Sequence, residues 1–368
     1  MDSVIIYLPA TNNLTTQENT MSKRNLVITA AVLVLLALVS QWFGRSGNNI
    51  QDAKIGNPIL ASSQVEAFDE VIIQNSSGKI TLQKKDNRWT LAEKNSFPAN
   101  VEKLLELAEK LTGSKVGSLV TKDEKRLGYF KVVYWDDAAA SAESSGTQLT
   151  LNSQGQKIFS MMVGKQRQSK SGQPDGAYIR IGNDPIVYLI KENLTMEADP
   201  VEWIQDSLFK LDKKEVNSVV LETSGDRIKL ERKEKGKNME LAGLKGGQKT
   251  AEYEVSSILS DLENFKIDDL VARSQAQEKA LELKSVVTVS VYDSPDLSFK
   301  VLSQPLVQKA DGEEEEKYYI SLVTPNDPKA QQKWGDVYNL GENWLFEMAD
   351  WKAKRWVKAR EDFIEDKK

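Results

Sequence analysis

The side chains that could do chemistry in this chain fall into a few groups. Carboxylates stand close together at Asp136-Asp137, at Asp293 and Asp296, and at Glu347 with Asp350. Paired carboxyls are the raw material of glycoside hydrolysis. None of these sets lies in a pattern that places two carboxyls across a cleft, and Asp293 and Asp296 flank a Ser-Pro pair, where Asp serves turn chemistry. Gly243 to Thr250 imitates the end of a phosphate-binding loop, but Gln248 stands where that loop needs glycine before its lysine. Asp311 to Glu316 concentrates acid without the spaced ligands of a calcium loop. The last group is basic and aromatic: Trp351, Lys352, Lys354, Arg355, Trp356, Lys358 and Arg360. A helix of that composition can contact a membrane surface or a partner, or simply be solvated.

Two missing residue types narrow the chemistry further. The 368 residues include no His and no Cys. Ser-His-Asp and Cys-His mechanisms, thiolate nucleophiles, disulfides and sulfur-ligated metal centres are therefore excluded. No catalytic, cofactor-binding or metal-ligating residue is assigned, and the expectation is a protein that is not an enzyme. With 49 Lys+Arg against 54 Asp+Glu the net charge is −5, which leaves no electrostatic footprint for nucleic acid.

The elements that must carry these residues begin with a membrane segment. Leu26 to Val39 is apolar apart from Thr29, and Ser40 to Phe43 extends it. At 1.5 Å per residue, residues 26–43 span about 27 Å, most of a hydrocarbon core. Lys23 and Arg24 precede the run, and Trp42 and Phe43 close it at interface depth. Small residues suited to signal cleavage are poorly placed after it, so an uncleaved anchor is expected. The expected placement is single-pass in the inner (cytoplasmic) membrane, with the bulk of the chain in the periplasm. Met21 reads as a natural start, which makes residues 1–20 a disordered or misassigned extension. Residues 21–43 are then the anchor and 44–63 a tether.

After the tether the pattern repeats. Val71 to Ile73, a turn ending at Gly78, then Ile80 and Leu82 predict two strands; Val219 to Leu221, Gly225, Ile228 and Leu230 predict the same. Val101, Leu104, Leu105, Ala108 and Leu111 lie on one helical face, as do Val255, Ile258, Leu259, Leu262 and Phe265. Val116, Leu119 and Val120 correspond to Ile267, Leu270 and Val271, and Glu124 to Leu127 corresponds to Glu278 to Leu281. Leu149, Leu151, Phe159 and Met161 match Val289, Val291, Phe299 and Val301. Tyr178-Ile179 matches Tyr319-Ile320, and Tyr188 matches Tyr338. The predicted fold class is α+β: a transmembrane helix, then two tandem, mainly antiparallel, strand-rich repeats (64–205 and 206–350), each with one main amphipathic helix. Residues 351–368 form a basic C-terminal helix or tail. The loops Asp136–Gly146, Gln166–Asp175 and Asp311–Glu316 read as solvated hairpin tips. Trp203, which follows Ala198-Asp199, and Trp351, which follows Ala349-Asp350, read as aromatic plugs at the repeat ends.

The anchor, Phe97-Pro98-Ala99-Asn100 before the Val101 helix, Leu127-Gly128, Tyr178-Ile179-Arg180 and Ile186-Val187-Tyr188 together resemble the bacterial family known as domain of unknown function 4340. The resemblance covers about residues 60–350. Asn100 replaces the Asp common in that family, a small change at a helix start. The resemblance implies a membrane-anchored extracytoplasmic protein, often encoded beside gliding-motility-type ABC transporter components, and it carries no catalytic residues. The expected function is an accessory or interaction subunit of an ABC transporter-type envelope complex, with a permease or auxiliary subunit as partner and the bilayer held through residues 26–43. A solute- or glycan-binding module with a Tyr- and Trp-lined cleft is the alternative, and a carboxylate-based polysaccharide hydrolase a more distant one.

Overall fold

The computed structural model describes residues 54–276, 280–308, 314–324 and 327–366. The expected extension 1–20, the anchor 26–43, tether residues 44–53 and residues 311–313 of the acidic loop lie outside the described residues. No helix among the described residues is long and apolar enough to cross a membrane.

The chain is α+β and strand-rich. Strands β1 (Glu70–Gln74), β2 (Lys79–Lys85), β3 (Arg88–Leu91), β4 (Phe97–Pro98), β5 (Ser118–Thr121), β6 (Thr147–Ser153), β7 (Gln156–Gln168), β8 (Pro174–Ile181) and β9 (Val187–Ile190) form one antiparallel sheet, ordered β4-β3-β2-β1-β6-β7-β8-β9-β5. Strands β10 (Ser207–Phe209), β11 (Val216–Thr223), β12 (Arg227–Arg232), β13 (Met239–Leu241), β14 (Gln248–Thr250), β15 (Phe265–Lys266), β16 (Asp269–Ala272), β17 (Glu282–Val291), β18 (Ser294–Gln308), β19 (Glu314–Leu322), β20 (Trp344–Met348) and β21 (Ile364–Asp366) follow. Most of them build a second sheet ordered β13-β12-β11-β17-β18-β19-β20-β16, while β10 pairs β15 and β14 pairs β21. The helices are α1 (Ser62–Ala67), α2 (Val101–Gly113), α3 (Glu252–Glu263), α4 (Pro328–Asn343) and α5 (Asp350–Ala353).

Register follows the apolar alternation. Val71 and Ile73 stand between Leu82 and Ile80 on one side and Leu151 and Leu149 on the other. Val219 and Leu221 stand likewise between Leu230 and Ile228 and between Val289 and Val287. The sequence match of Leu149 and Leu151 with Val289 and Val291 is therefore two residues out, a slip that keeps every side chain on its face and so leaves no mark in the pattern. The match of Tyr188 with Tyr338 also fails. Tyr188 lies in β9 opposite Ile179, the position Phe346 of β20 takes opposite Ile320, whereas Tyr338 lies in α4.

Helix α2 starts where the Asn100 side chain accepts from the Lys103 N–H at 3.0 Å. It buries Leu104, Leu107, Ala108 and Leu111, so the buried stripe is turned from the predicted one: Leu107 is inside and Val101 is exposed. Helix α3 buries Val255, Ile258, Leu259 and Leu262, as its periodicity predicts. The second part of the expected tether is no tether. The Gly56 N–H donates to the Val116 carbonyl at 2.8 Å, the Leu60 N–H donates to the Leu111 carbonyl at 3.1 Å, and Ile59 and Leu60 are buried.

One contiguous apolar core runs from Ile59 to Phe363 and includes residues of both sheets. Phe97 of β4 joins them, its ring edge-on to Trp344 at 5.3 Å and to Phe346 at 6.2 Å between centroids. Lys94 forms an ion pair with Asp269 across the same junction, and the Asn100 N–H donates to the Trp203 carbonyl at 2.7 Å.

Candidate functional site

The basic C-terminal group is mostly built into the body. Its segment is not one amphipathic helix but the short α5, two 3-10 turns at Lys354–Val357 and Arg360–Phe363, and strand β21. Trp356 is fully buried, ring to ring with Phe265 at 5.8 Å and Phe299 at 5.3 Å, and it offers nothing to a membrane or partner. Arg355 pairs with Asp261 of α3 at 2.6 Å, and Lys358 with Glu254 of the same helix at 2.5 Å. Lys352 reaches Asp268 at 3.1 Å and Lys354 reaches Asp350 at 2.7 Å. Arg360 donates to the carbonyls of Ala242 at 2.6 Å and Gly243 at 3.0 Å, closing the glycine-rich loop. Trp351, expected as a plug, is 59% exposed, while Trp203 is buried and donates its indole N–H to the Glu197 carbonyl at 2.8 Å. Burial lifts the Asp261 carboxyl above its usual range, and Arg355 pulls it back down. Arg355 and Lys358 thus tie the last turns to α3.

The carboxylates are likewise occupied or scattered. Asp136 lies 3.6 Å from Lys157, Glu347 3.1 Å from Lys317 and Asp350 2.7 Å from Lys354. Asp293 holds the β17–β18 turn with φ +54°, which is the turn chemistry its sequence context predicts. In the second sheet the Tyr318 hydroxyl donates to Glu316 at 2.6 Å, and Lys284 stands 3.4 Å from Glu316. Burial and the Glu316 charge push the Tyr318 phenol above its ordinary value, so it stays protonated and cannot serve as a base near neutrality. Among the described residues no group of three or more acidic side chains could hold a metal.

Two concavities lie in the first half of the chain. A void of about 10 Å³ lies under α2 between Leu60, Val71, Leu104 and Leu151. A shallow groove of about 310 Å³ follows Lys157–Ser160 and Ile181–Asn183. Neither is lined by Tyr or Trp.

The side-chain cluster that sequence reading missed lies on the segment between β5 and β6. There Leu127, Phe130, Val132, Val133 and Tyr134 form a second small core with Met162 and Val187 on the outer face of the first sheet. Trp135 donates its backbone N–H to Gln148 at 2.7 Å and its indole N–H to Gly146 at 2.9 Å. Beneath them Arg180 is buried, donating to the carbonyls of Asn183 at 2.8 Å and Asp184 at 2.9 Å and lying 4.9 Å from the Tyr134 ring centre. Burial raises the Tyr134 phenol too. This cover makes Phe159 to Val163 of β7 an unbroken buried run, where β18 alternates from Leu297 to Ser303. On its surface Tyr129 is 65% exposed. Lys165 stands 4.5 Å and Arg126 5.9 Å from its ring centre. The signal was available in the charged and aromatic stretch Lys122 to Lys131, but Glu124 to Leu127 reads first as a repeat marker.

No curated protein and no solved structure matches the chain. A family profile does: the family described as "Domain of unknown function (DUF4340)" matches residues 89–286, more than half of the chain. The matched span begins in β3 and ends in β17, so it crosses from the first sheet into the second. On that match the chain belongs to the DUF4340 family.

Proposed function

We propose that this chain is a non-enzymatic, single-pass membrane-anchored protein whose two-sheet body stands on the periplasmic side of the inner membrane and acts as an accessory subunit of an ABC transporter-type envelope complex. The observation that carries the reading is the apolar run 26–39 with Lys23 and Arg24 before it and Trp42 and Phe43 after it, joined by a short segment to a folded body. A permease or auxiliary subunit is the partner proposed, and the surface presented to it comes from exposed edge strands and from insert loops such as Gln166–Asp175. We also read the body as two copies of one unit. The matching strand orders and the equivalent registers of β1 and β11 support this.

The test is co-purification of the full chain from native membranes in mild detergent. The expected result is recovery of ABC transporter components and loss of transport on deletion of the chain. Recovery of the chain alone, with transport intact after deletion, overturns the reading. The solute-binding alternative asks for a Tyr- and Trp-lined cleft, and the groove present is instead lined by Lys157, Ile158, Phe159 and Ser160.

A further inference from the structure

Two exposed aromatic side chains in this protein carry two cations each, and they differ in one respect. Trp351 lies 5.5 Å from Lys352 and 4.8 Å from Arg355, but those cations are neutralised by Asp268 and Asp261. Tyr129 lies between Lys165 and Arg126, and neither has a carboxylate partner among the described residues. Lys122 and Lys125 are exposed beside them in sequence, and Lys131 is turned to the Ala142 carbonyl at 2.9 Å. Asp123 and Glu124 are the acids of this stretch, Asp123 capping the Lys125 N–H at 3.0 Å, and they stand against Lys122, Lys125, Arg126 and Lys131, which leaves the patch net positive. A chain with net charge −5 and many paired lysines has thus left cations unpaired around one presented phenol.

The position of the patch matters as much as its charge. The described chain begins at Lys54, whose ammonium donates to the Ile181 carbonyl at 3.1 Å and lies 3.5 Å from Asp184. Ile181 ends β8. Tyr178, three residues back on that strand, packs tilted against Phe130 with ring centres 4.7 Å apart, and Phe130 meets Tyr129 edge-on at 5.0 Å. At about 3.3 Å per residue the patch lies roughly 10–15 Å from the chain's point of arrival. The stretch from 44 to 53 reaches at most about 35 Å when extended.

We infer that the Tyr129–Arg126–Lys165 patch is a docking surface for anionic phospholipid headgroups, holding the first sheet against the bilayer that carries the anchor. This rests on the anchor reading above. A phenol at headgroup depth flanked by basic side chains is the chemistry that such an interface selects. The rigid cover beneath, pinned by Phe130 and Trp135, holds the groups in place.

The experiment uses the full chain in lipid nanodiscs of phosphatidylcholine with and without phosphatidylglycerol, read by hydrogen exchange over residues 125–131. Exchange there should slow only in the anionic discs. The slowing should weaken about fivefold for each cation removed in Arg126→Gln and Lys165→Gln, the factor of one basic residue at such a surface. A Tyr129→Ala variant should also weaken it, with an unchanged melting transition in all three. Flotation of the full chain with vesicles is scored separately, and failure to float refutes the anchor rather than the patch. A chain that floats but exchanges alike in both disc types overturns the inference. Slowing that needs an added acidic protein, in either lipid, overturns it equally.

Discussion

At the scale of single residues, burial separates side chains that the sequence groups together. Trp351 and Trp356 share one basic stretch, yet one faces water and the other lies inside the core. Replacing Trp356 by Ala removes the contacts with Phe265 and Phe299 and should cost about 3–5 kcal/mol, read by urea denaturation, while Trp351→Ala should cost less than about 1 kcal/mol. Trp356→Phe should be milder than Ala, because the buried indole N–H has no hydrogen-bond partner and its loss leaves nothing unpaired. Equal losses in Trp351→Ala and Trp356→Ala would sink this distinction. Asp261 gives a pH prediction. Burial holds its folded pKa above the ordinary carboxylate value, against the pull of Arg355. The native state therefore binds the proton more tightly than the unfolded chain, and this group's contribution to stability falls as pH rises through its folded pKa. Arg355→Met removes the restraint and lifts that pKa further. At pH 7 the variant should lose about 2 kcal/mol, and it should regain part of the loss as pH falls toward 5. The double variant with Asp261→Asn should lose that recovery, and a recovery that persists would exclude Asp261 as its source.

At the scale of elements, the cover over the first sheet depends on a backbone approach that only glycine permits. A Cβ on Gly164 would lie 2.0 Å from the Phe130 carbonyl oxygen and 2.8 Å from Val132 Cγ1. Gly164→Ala should therefore cost about 1–3 kcal/mol and lift the cover, so that limited proteolysis cuts faster between residues 136 and 146. Gly155, at φ +75° in an open hairpin turn, is the contrast: Ala there should cost about 1 kcal/mol and leave the cleavage rate alone. Elements of this kind mark what was legible in the sequence. Period-two and period-3.6 patterns located β1, β2, β11, β12 and α3, because each buries one face against a single neighbour. Patterns of that sort say little where a segment is buried on two sides or by distant partners. The Phe159–Val163 run of β7 is buried on both faces because the cover lies over it, and the cover itself has no period. Helix α4 leaves little mark in the sequence because its buried set, Ala330, Trp334, Tyr338 and Gly341, contains two small residues that carry little apolar signal. The cations of the last turns looked like a binding surface because a sequence does not tell which lysine meets which carboxylate. The Tyr129 patch was hidden for the converse reason: its cations are notable only once the partners of the others are known.

At the scale of the whole molecule, two strand sets that look like separate domains in sequence share one core. Their meeting point is small and aromatic: Phe97 against Trp344 and Phe346, flanked by the Lys94–Asp269 ion pair and the hydrogen bond from Asn100 to Trp203. The chain that links the sheets is buried with it, through Trp203, Ile204, Leu208 and Phe209. A junction made by a flexible linker would let each sheet melt alone, since relative motion is the default for weakly joined units. Here the two sheets share one contiguous apolar core through this junction, so separating them opens part of each. Unfolding should then be a single transition, coincident by circular dichroism and by fluorescence of the tryptophans, which stand on both sides of the junction at Trp89 and Trp135 and at Trp334 and Trp356. Phe97→Ala should lower the stability of the whole by about 3–5 kcal/mol. Amide exchange in β17 and β18, strands that Phe97 does not touch, should quicken by the same free energy as exchange in β1 and β6. Two separated transitions in the unmodified chain, or quickened exchange confined to the first sheet in the variant, would mean that the junction is a contact between independent domains.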